Sequence, residues 1–314
     1  MGAQDYPFLR QVELYISNVP EWQGGGSQAQ MVKIVGDGTT NTLRIRFELR
    51  KHCMSTAAPS LIHVYNLSSQ LRNTLAKIAG KKEGGSEIEL KIGWQNTRVM
   101  TVFSGSLLAC YSERQGPDIV TTLVSLAEFG SMVRTVISQT FNAGATLVSM
   151  IKSIAGQIPS VTIGQINVTD VTIGNQGWSH WGAAKNCLDR LARIYGFHYW
   201  FDNGVFHACD DAKVLSESAI PLVSYKNGRL KRVEPILTTP FQQFSGVTVQ
   251  ALIDPNVLVG GSVQVESKIN PSLNNRYQVT TLTMTGDTHS NEWDMRIESL
   301  YWPGGQMIYT GGGA

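Results

Sequence analysis

Residues 197–211 read FHYWFDNGVFHACDD, which places two histidines, a cysteine and three aspartates among five aromatic rings. Metal sites, nucleophiles and proton relays are built from these residue types. Asn203-Gly204 between extended apolar stretches is a strong hairpin signal, because both residues tolerate the positive φ of a type I′ turn. If the loop is those two residues alone, Trp200 faces His207 and His198 faces Cys209. His198, His207 and Cys209 then share one side of the ribbon, a three-ligand arrangement open to zinc. Trp200 stands on that same side, and no motif supplies a fourth ligand. A three-residue loop with a glycine bulge pairs His198 with Ala208 instead, which separates the histidines from the cysteine. The plainer reading is a scaffold: Asn203, Gly204, Gly196 and Trp200 are structural, and the rings cover the helix before them.

Other reactive groupings are weaker. The chain lacks GxSxG, HExxH, GxxxxGK[ST], and a GxGxxG set between strand and helix. Glu113, Arg114 and Asp118 gather around Gly116-Pro117, where paired carboxylates could serve glycoside hydrolysis. A turn between two strands makes them solvated charges. His180, between Trp178 and Trp181 near an expected helix start, reads as a partly buried ring. The four cysteines, Cys53, Cys110, Cys187 and Cys209, form no CxxC pair and read as reduced buried side chains.

The elements that must position these residues follow from periodicity. Val12, Leu14 and Ile16 alternate with polar residues, as do Leu43 to Leu49 and Ile88 to Ile92, so these are strands. Residues 100–108 and 119–127 predict two more. Ser68 or Ser69 caps a helix whose stripe is Leu71, Leu75 and Ile78. Asn142 is expected to cap a second helix carrying Leu147, Met150, Ile151 and Ile154. A third is expected over about residues 180–195, with Trp181, Ala184, Leu188, Leu191 and Tyr195 on one face and Gly196 as its left-handed cap. Beyond residue 226 the period returns to two, with a phase change between Val279 and Leu282. QGGGSQAQ (23–30) reads as a loop.

The fold class expected is mainly β with an α+β insertion. Residues 1–130 form a first domain with one short helix at 68–79. Residues 131–225 form a module of two helices and the aromatic hairpin, 226–300 a second β domain, and 301–314 a glycine-rich tail. Charged residues are 16% of the 314, below the roughly 25% of ordinary domains. A net charge of +2 gives no electrostatic reason for nucleic-acid or membrane binding. A low-charge surface suits a chain covered by neighbouring subunits. The first residues carry no basic segment followed by an apolar run, so no signal peptide is expected.

Three stretches resemble the baseplate (tail) hub proteins of phages and related contractile injection systems, a group that includes the T4-type hub, late-control D proteins and the N-terminal part of VgrG spikes. The first runs from LIHVYNLSSQLRNTLAKIAG through KIGW and FSGSLLAC to VSLAE. The second is WGAAKNCLDRLARIYGFHYWFDNGVFHACD, a helix ending in Tyr-Gly before an aromatic hairpin. The third is LVGGSVQVESKINPSLNNRYQVTTLTMTGD with the Trp293 strand after it. The resemblance implies two tail-tube-like β-barrel domains per chain and a homotrimer forming a pseudo-sixfold ring around a DNA channel. It implies a structural role without catalytic residues or cofactors. The partners implied are the tail tube protein, the central spike, and other baseplate or tape-measure proteins. DNA would pass without specific binding, and the location would be the virion after assembly in the host bacterial cytoplasm. Two alternatives remain open: a spike-base or tube-terminating protein of a secretion-type injection machine, and a metal-dependent hydrolase using His198, His207 and Cys209.

Overall fold

The computed structural model describes residues 10–19, 30–39, 41–55, 58–81, 85–94, 98–127, 129–174, 177–210, 213–215, 219–238 and 243–301. Most of the 23–30 loop and the tail beyond Tyr301 lie outside them. Strand makes up 55% and helix 15%, so the fold is mainly β, with a large antiparallel sheet and four helices among the described residues. The chain forms two compact units, residues 1–50, 58–128 and 284–293 in one, and 51–57, 129–283 and 294–314 in the other.

In the first unit the strands are β1 (Arg10–Val19), β2 (Gln30–Gly36), β3 (Ile45–His52, whose last two residues, Lys51 and His52, belong to the second unit), β4 (Ser60–Tyr65), β5 (Glu87–Trp94), β6 (Met100–Gln115) and β7 (Asp118–Leu126). They lie in the order β3-β4-β7-β6-β5-β1-β2. Alternation sets the register: Val12, Leu14 and Ile16 pair with Ile92, Leu90 and Ile88, and all six are buried. Helix α1 (Ser69–Ile78) starts where the Ser68 side chain accepts from the Leu71 N–H, and it buries Leu71, Leu75 and Ile78. Trp293 packs edge-on to Phe47 at 5.7 Å, and the Arg10 guanidinium lies over its indole. Arg44 Nε donates to both carboxylate oxygens of Asp287 at 3.1 Å. Burial pushes the Asp287 carboxyl up, but the bonds and charge of Arg44, with further bonds from the His289 N–H and Ser290, together hold the group below the usual carboxylate range.

The second unit contains α2 (Phe129–Arg134), β8 (Val136–Phe141), α3 (Leu147–Ala155), β9 (Thr162–Asn167), β10 (Trp178–Ala183), α4 (Ala184–Tyr195), β11 (Phe197–Asp202) and β12 (Val205–Asp210). After these come β13 (Leu222–Ser224), β14 (Leu230–Thr238), β15 (Gln243–Leu252), β16 (Ser262–Glu266), β17 (Asn275–Asp287) and β18 (Trp293–Tyr301), with the end of β17 from Met284 and the first residue of β18 counted in the first unit. β8 pairs with β10, and β11-β12-β9 make a three-stranded sheet in which β9 runs parallel to β12. The phase change in β17 is visible as burial of Tyr277 and Val279 and then of Leu282 and Met284. The helical core joins Met150, Ile151 and Ile154 of α3 to Leu188 and Leu191 of α4.

Two expectations need correction. The cap of α3 is Thr146, whose hydroxyl accepts from the Ser149 N–H at 3.4 Å, so the helix begins later than Asn142 would place it. Residues 180–183 belong to β10 rather than to a helix, because Trp178 to Ala183 pair in register with Phe141 to Val136. Trp181 therefore leaves the face shared by Ala184, Leu188 and Leu191. The fold class is as expected, mainly β, and no ladder closing a barrel is detected among the described residues. At Gly36 an added Cβ would lie 2.7 Å from the Leu43 carbonyl oxygen, so the end of β2 comes close to the run into β3 without forming a ladder with it.

Leu188 of α4 is fully buried in the core that α4 shares with α3 and the hairpin. Leu188→Ala should therefore destabilise the protein by about 2–5 kcal/mol, measured by chemical denaturation. A loss under about 1 kcal/mol would contradict the packing described.

Candidate functional site

The turn between β11 and β12 consists of Asn203 and Gly204, with φ of 51° and 81°. Both are positive, as a type I′ turn requires. The pairs run Asp202↔Val205, Phe201↔Phe206, Trp200↔His207 and His198↔Cys209. The loop is thus two residues long, and His198, Trp200, His207 and Cys209 share one face. Lys51 anchors the turn by donating to the Asp202 carboxylate and, at 3.2 Å, to the Asn203 side-chain oxygen. The Lys51 side chain is 13% exposed and that of Asp202 9%, so removing either partner would leave a charge buried without its counterion.

The opposite face of the hairpin closes the helical core. Phe197, Tyr199, Phe206 and Ala208 pack with α3 and α4. Gly196 ends α4 in the left-handed conformation, φ 71°, and its N–H donates to the Ala192 carbonyl. The Tyr199 hydroxyl then reaches back to donate to Asp189 at 2.6 Å, and Lys185 pairs with the same carboxylate. Burial, reinforced by that carboxylate, pushes the Tyr199 phenol far above its ordinary range, so it serves as a fixed donor.

On the reactive face the rings stack. His198 lies 5.6 Å from Trp200, and Trp200 lies 5.6 Å from His207, so the indole separates the two imidazoles. Trp200 is 2% exposed, and its ring rests against Gly260. A Cβ on Gly260 would fall 2.0 Å from Trp200 Cζ2, and φ at Gly260 is +79°, so space and backbone both demand glycine. The Nδ1 of His207 accepts the Gln165 N–H at 3.2 Å, which places its proton on Nε2 when the ring is neutral. Burial lowers the His207 pKa. Cys209 is fully buried. Among the described residues, no group of three or more His, Cys, Asp or Glu side chains could hold a metal ion.

The remaining sequence candidates have structural partners. Glu113 accepts from Gln115, Arg114 donates to the Gly116 carbonyl, and Asp118 accepts from Asn66. His180 stacks on Trp178 with ring centroids 5.7 Å apart, and Arg190 lies over that indole. Burial pushes the Cys187 thiol up to about 12 and the Cys110 thiol to about 11, which keeps both protonated.

Two features escaped the sequence reading. An apolar cavity of about 520 Å³ lies beside the hairpin, lined by Cys53, Met54, Phe197, Tyr199 and Leu300 among others. The outer face of β8–β10 shows Trp181 at 80% and Val136 at 65% exposure. Alternation over Trp178–Ala183 was the available signal for the second feature. No sequence signal joins the distant segments that line the first.

This is a β-rich scaffold of the kind found in tail proteins of phages and related injection machines. It resembles the tail protein from Neisseria meningitidis MC58 at 10% identity, with a TM-score of 0.61, 94% of this chain covered and 98% of that one. It also resembles the 43 kDa tail protein of prophage MuSo2 from Shewanella oneidensis, at 12% identity and TM-score 0.56, with 94% and 98% covered. A third likeness is to the E. coli c3393 protein, a component of the type VI secretion system, at 9% identity and TM-score 0.56, with 82% and 73% covered. At such identities the likeness is one of fold. No curated protein matches the sequence. A model of the family described as Baseplate hub gp41 matches residues 30–298, and the chain belongs to that family.

Two predictions concern the hairpin. Gly204→Val forces a β-branched residue to positive φ and should destabilise by about 1–3 kcal/mol, with His207→Gln having a smaller effect in the same denaturation assay. The reverse ranking would contradict the turn's primacy. The lowered pKa of His207 also sets a pH dependence. Its neutral form is favoured by folding, so its contribution is fully present above the ordinary value of 6.5 and is lost as pH falls below that. Denaturation between pH 7 and 5 should show stability falling, with a shallower slope in His207→Gln.

Proposed function

We propose that this chain is the structural hub of a phage tail baseplate. Three copies form a pseudo-sixfold ring that joins the tail tube to the central spike and encloses the channel for DNA. The role is mechanical, without catalysis or cofactor, and the protein works within the virion after assembly in the host cytoplasm. Its partners are further copies of itself, the tube protein, the spike, and other baseplate or tape-measure proteins. The domain plan that suits this role is two tube-like β domains around the helix-and-hairpin module.

The observation that carries the reading is the family match over residues 30–298. Physical features favour it. A chain with 16% charged residues can be covered by neighbours without stranding many ions. Trp181 and Val136 present an apolar patch on paired strands, the kind of surface that assembly covers. A net charge of only +2 suits a wall past which DNA slides, since many phosphate contacts would hold it. No helix among the described residues is long and apolar enough to cross a membrane.

A second reading is favoured by the likeness to the E. coli type VI component: a spike-base or tube-terminating protein of a secretion-type injection machine. The hydrolase reading has no support in the geometry, because the Trp200 ring separates the imidazoles it would need.

Light scattering on the purified full-length chain, alone and mixed with the tail tube protein, tests the proposal. A three-chain mass, retained in a complex with the tube protein, is expected. A stable single-chain mass that does not bind the tube protein would overturn it.

A further inference from the structure

The first unit holds a polar cleft between α1 and the β6–β7 arm, about 420 Å³ in volume, which no feature of the hairpin site uses. The helix lines it with Arg72, Asn73 and Ala76, the i, i+1 and i+4 positions of one side. The arm lines it with Ser112, Glu113 and Arg114. The short side chain of Ala76 helps keep the cleft open.

The lining groups differ in what occupies them. The Ser112 hydroxyl pairs with Thr121 at 3.0 Å, and Glu113 accepts from Gln115 at 2.6 Å. Arg114 commits Nε to the Gly116 carbonyl at 3.1 Å, leaving the other end of its guanidinium for a ligand. Among the described residues, neither the Arg72 guanidinium nor the Asn73 side-chain amide has a hydrogen-bond partner. Two guanidinia and an amide are therefore donors in excess around one cleft. A planar oxyanion matches them, since the Arg fork bonds a carboxylate through two parallel N–H groups.

We propose that this cleft binds the carboxylate of an acidic side chain presented by a partner protein. A nucleic-acid backbone fits it less well. DNA brings one negative charge per roughly 1.7 Å of helix axis, and the lining answers with two cations and the anion Glu113. A single carboxylate meets the two guanidinia without that repeated repulsion. The site is independent of the ring geometry, because it needs only a protein surface carrying an exposed Asp or Glu.

The test uses the full chain and a fluorescent hexapeptide of alternating Glu and Ser, followed by anisotropy. The peptide should bind wild type and weaken with salt. Arg72→Gln and Arg114→Gln should each lower affinity by about tenfold, the loss of one charge-assisted pair. Ala76→Leu, which fills the cleft and leaves its charges alone, should weaken binding as well. All three positions are at least partly exposed, and unchanged thermal unfolding would show that the variants fold. Absence of peptide binding to wild type, or unchanged binding by all three variants, would overturn the proposal. So would tighter binding of a single-stranded oligonucleotide that the same variants abolish, or competition by inorganic phosphate beyond that of sodium chloride at equal ionic strength.

Discussion

Side chains alternate sides along a strand, so a slip of one residue exchanges the two faces of a hairpin. In this chain the positive φ of Asn203 and Gly204 fixes that choice for the β11–β12 ribbon. Its consequences run through the second unit. Tyr199 and Phe206 turn toward α3 and α4 and complete the helical core, while Trp200 turns toward Gly260. Lys51 holds the turn itself, bringing a residue from the far end of β3 to the Asp202 carboxylate. A three-residue loop would have put His198 opposite Ala208 and broken the ring stack. The apparent density of reactive groups is the by-product of a register that serves packing.

The functional reading draws on the same physics. On the hairpin's reactive face, the indole of Trp200 stacks between the two imidazoles and fills the space by packing. The low charge and the exposed indole of Trp181 are what the proposed assembly would cover. Membership in the baseplate hub family agrees with a scaffold whose side chains are engaged with one another. The polar cleft beside α1 differs because its donors outnumber the acceptors around them.

Much of the local structure was legible because it depends on neighbours in sequence. The α1 stripe, the alternation of β1 and β5, and the phase change in β17 are periodicities that burial enforces directly. The Asn203-Gly204 turn is likewise a local matter of φ. What could not be read depends on distant partners. β10 looks like the start of a helix because its residues run straight into α4, and only pairing with β8 holds them extended. Thr146 outcompetes Asn142 as a cap because it lies directly before the helical stripe and its N–H-accepting hydroxyl is in reach of Ser149. The need for glycine at 260 comes from a tryptophan sixty residues earlier.

The central claim is that this chain is a ring-forming connector whose chemistry is packing. An electron-microscopy map of the assembled tail tip tests it most directly. The expected map shows three copies of this chain around the tail axis, between the tube and the spike, with the two β-rich units of each copy lining the channel. A map in which the chain is absent from the axis, or present as a single peripheral copy, would contradict it.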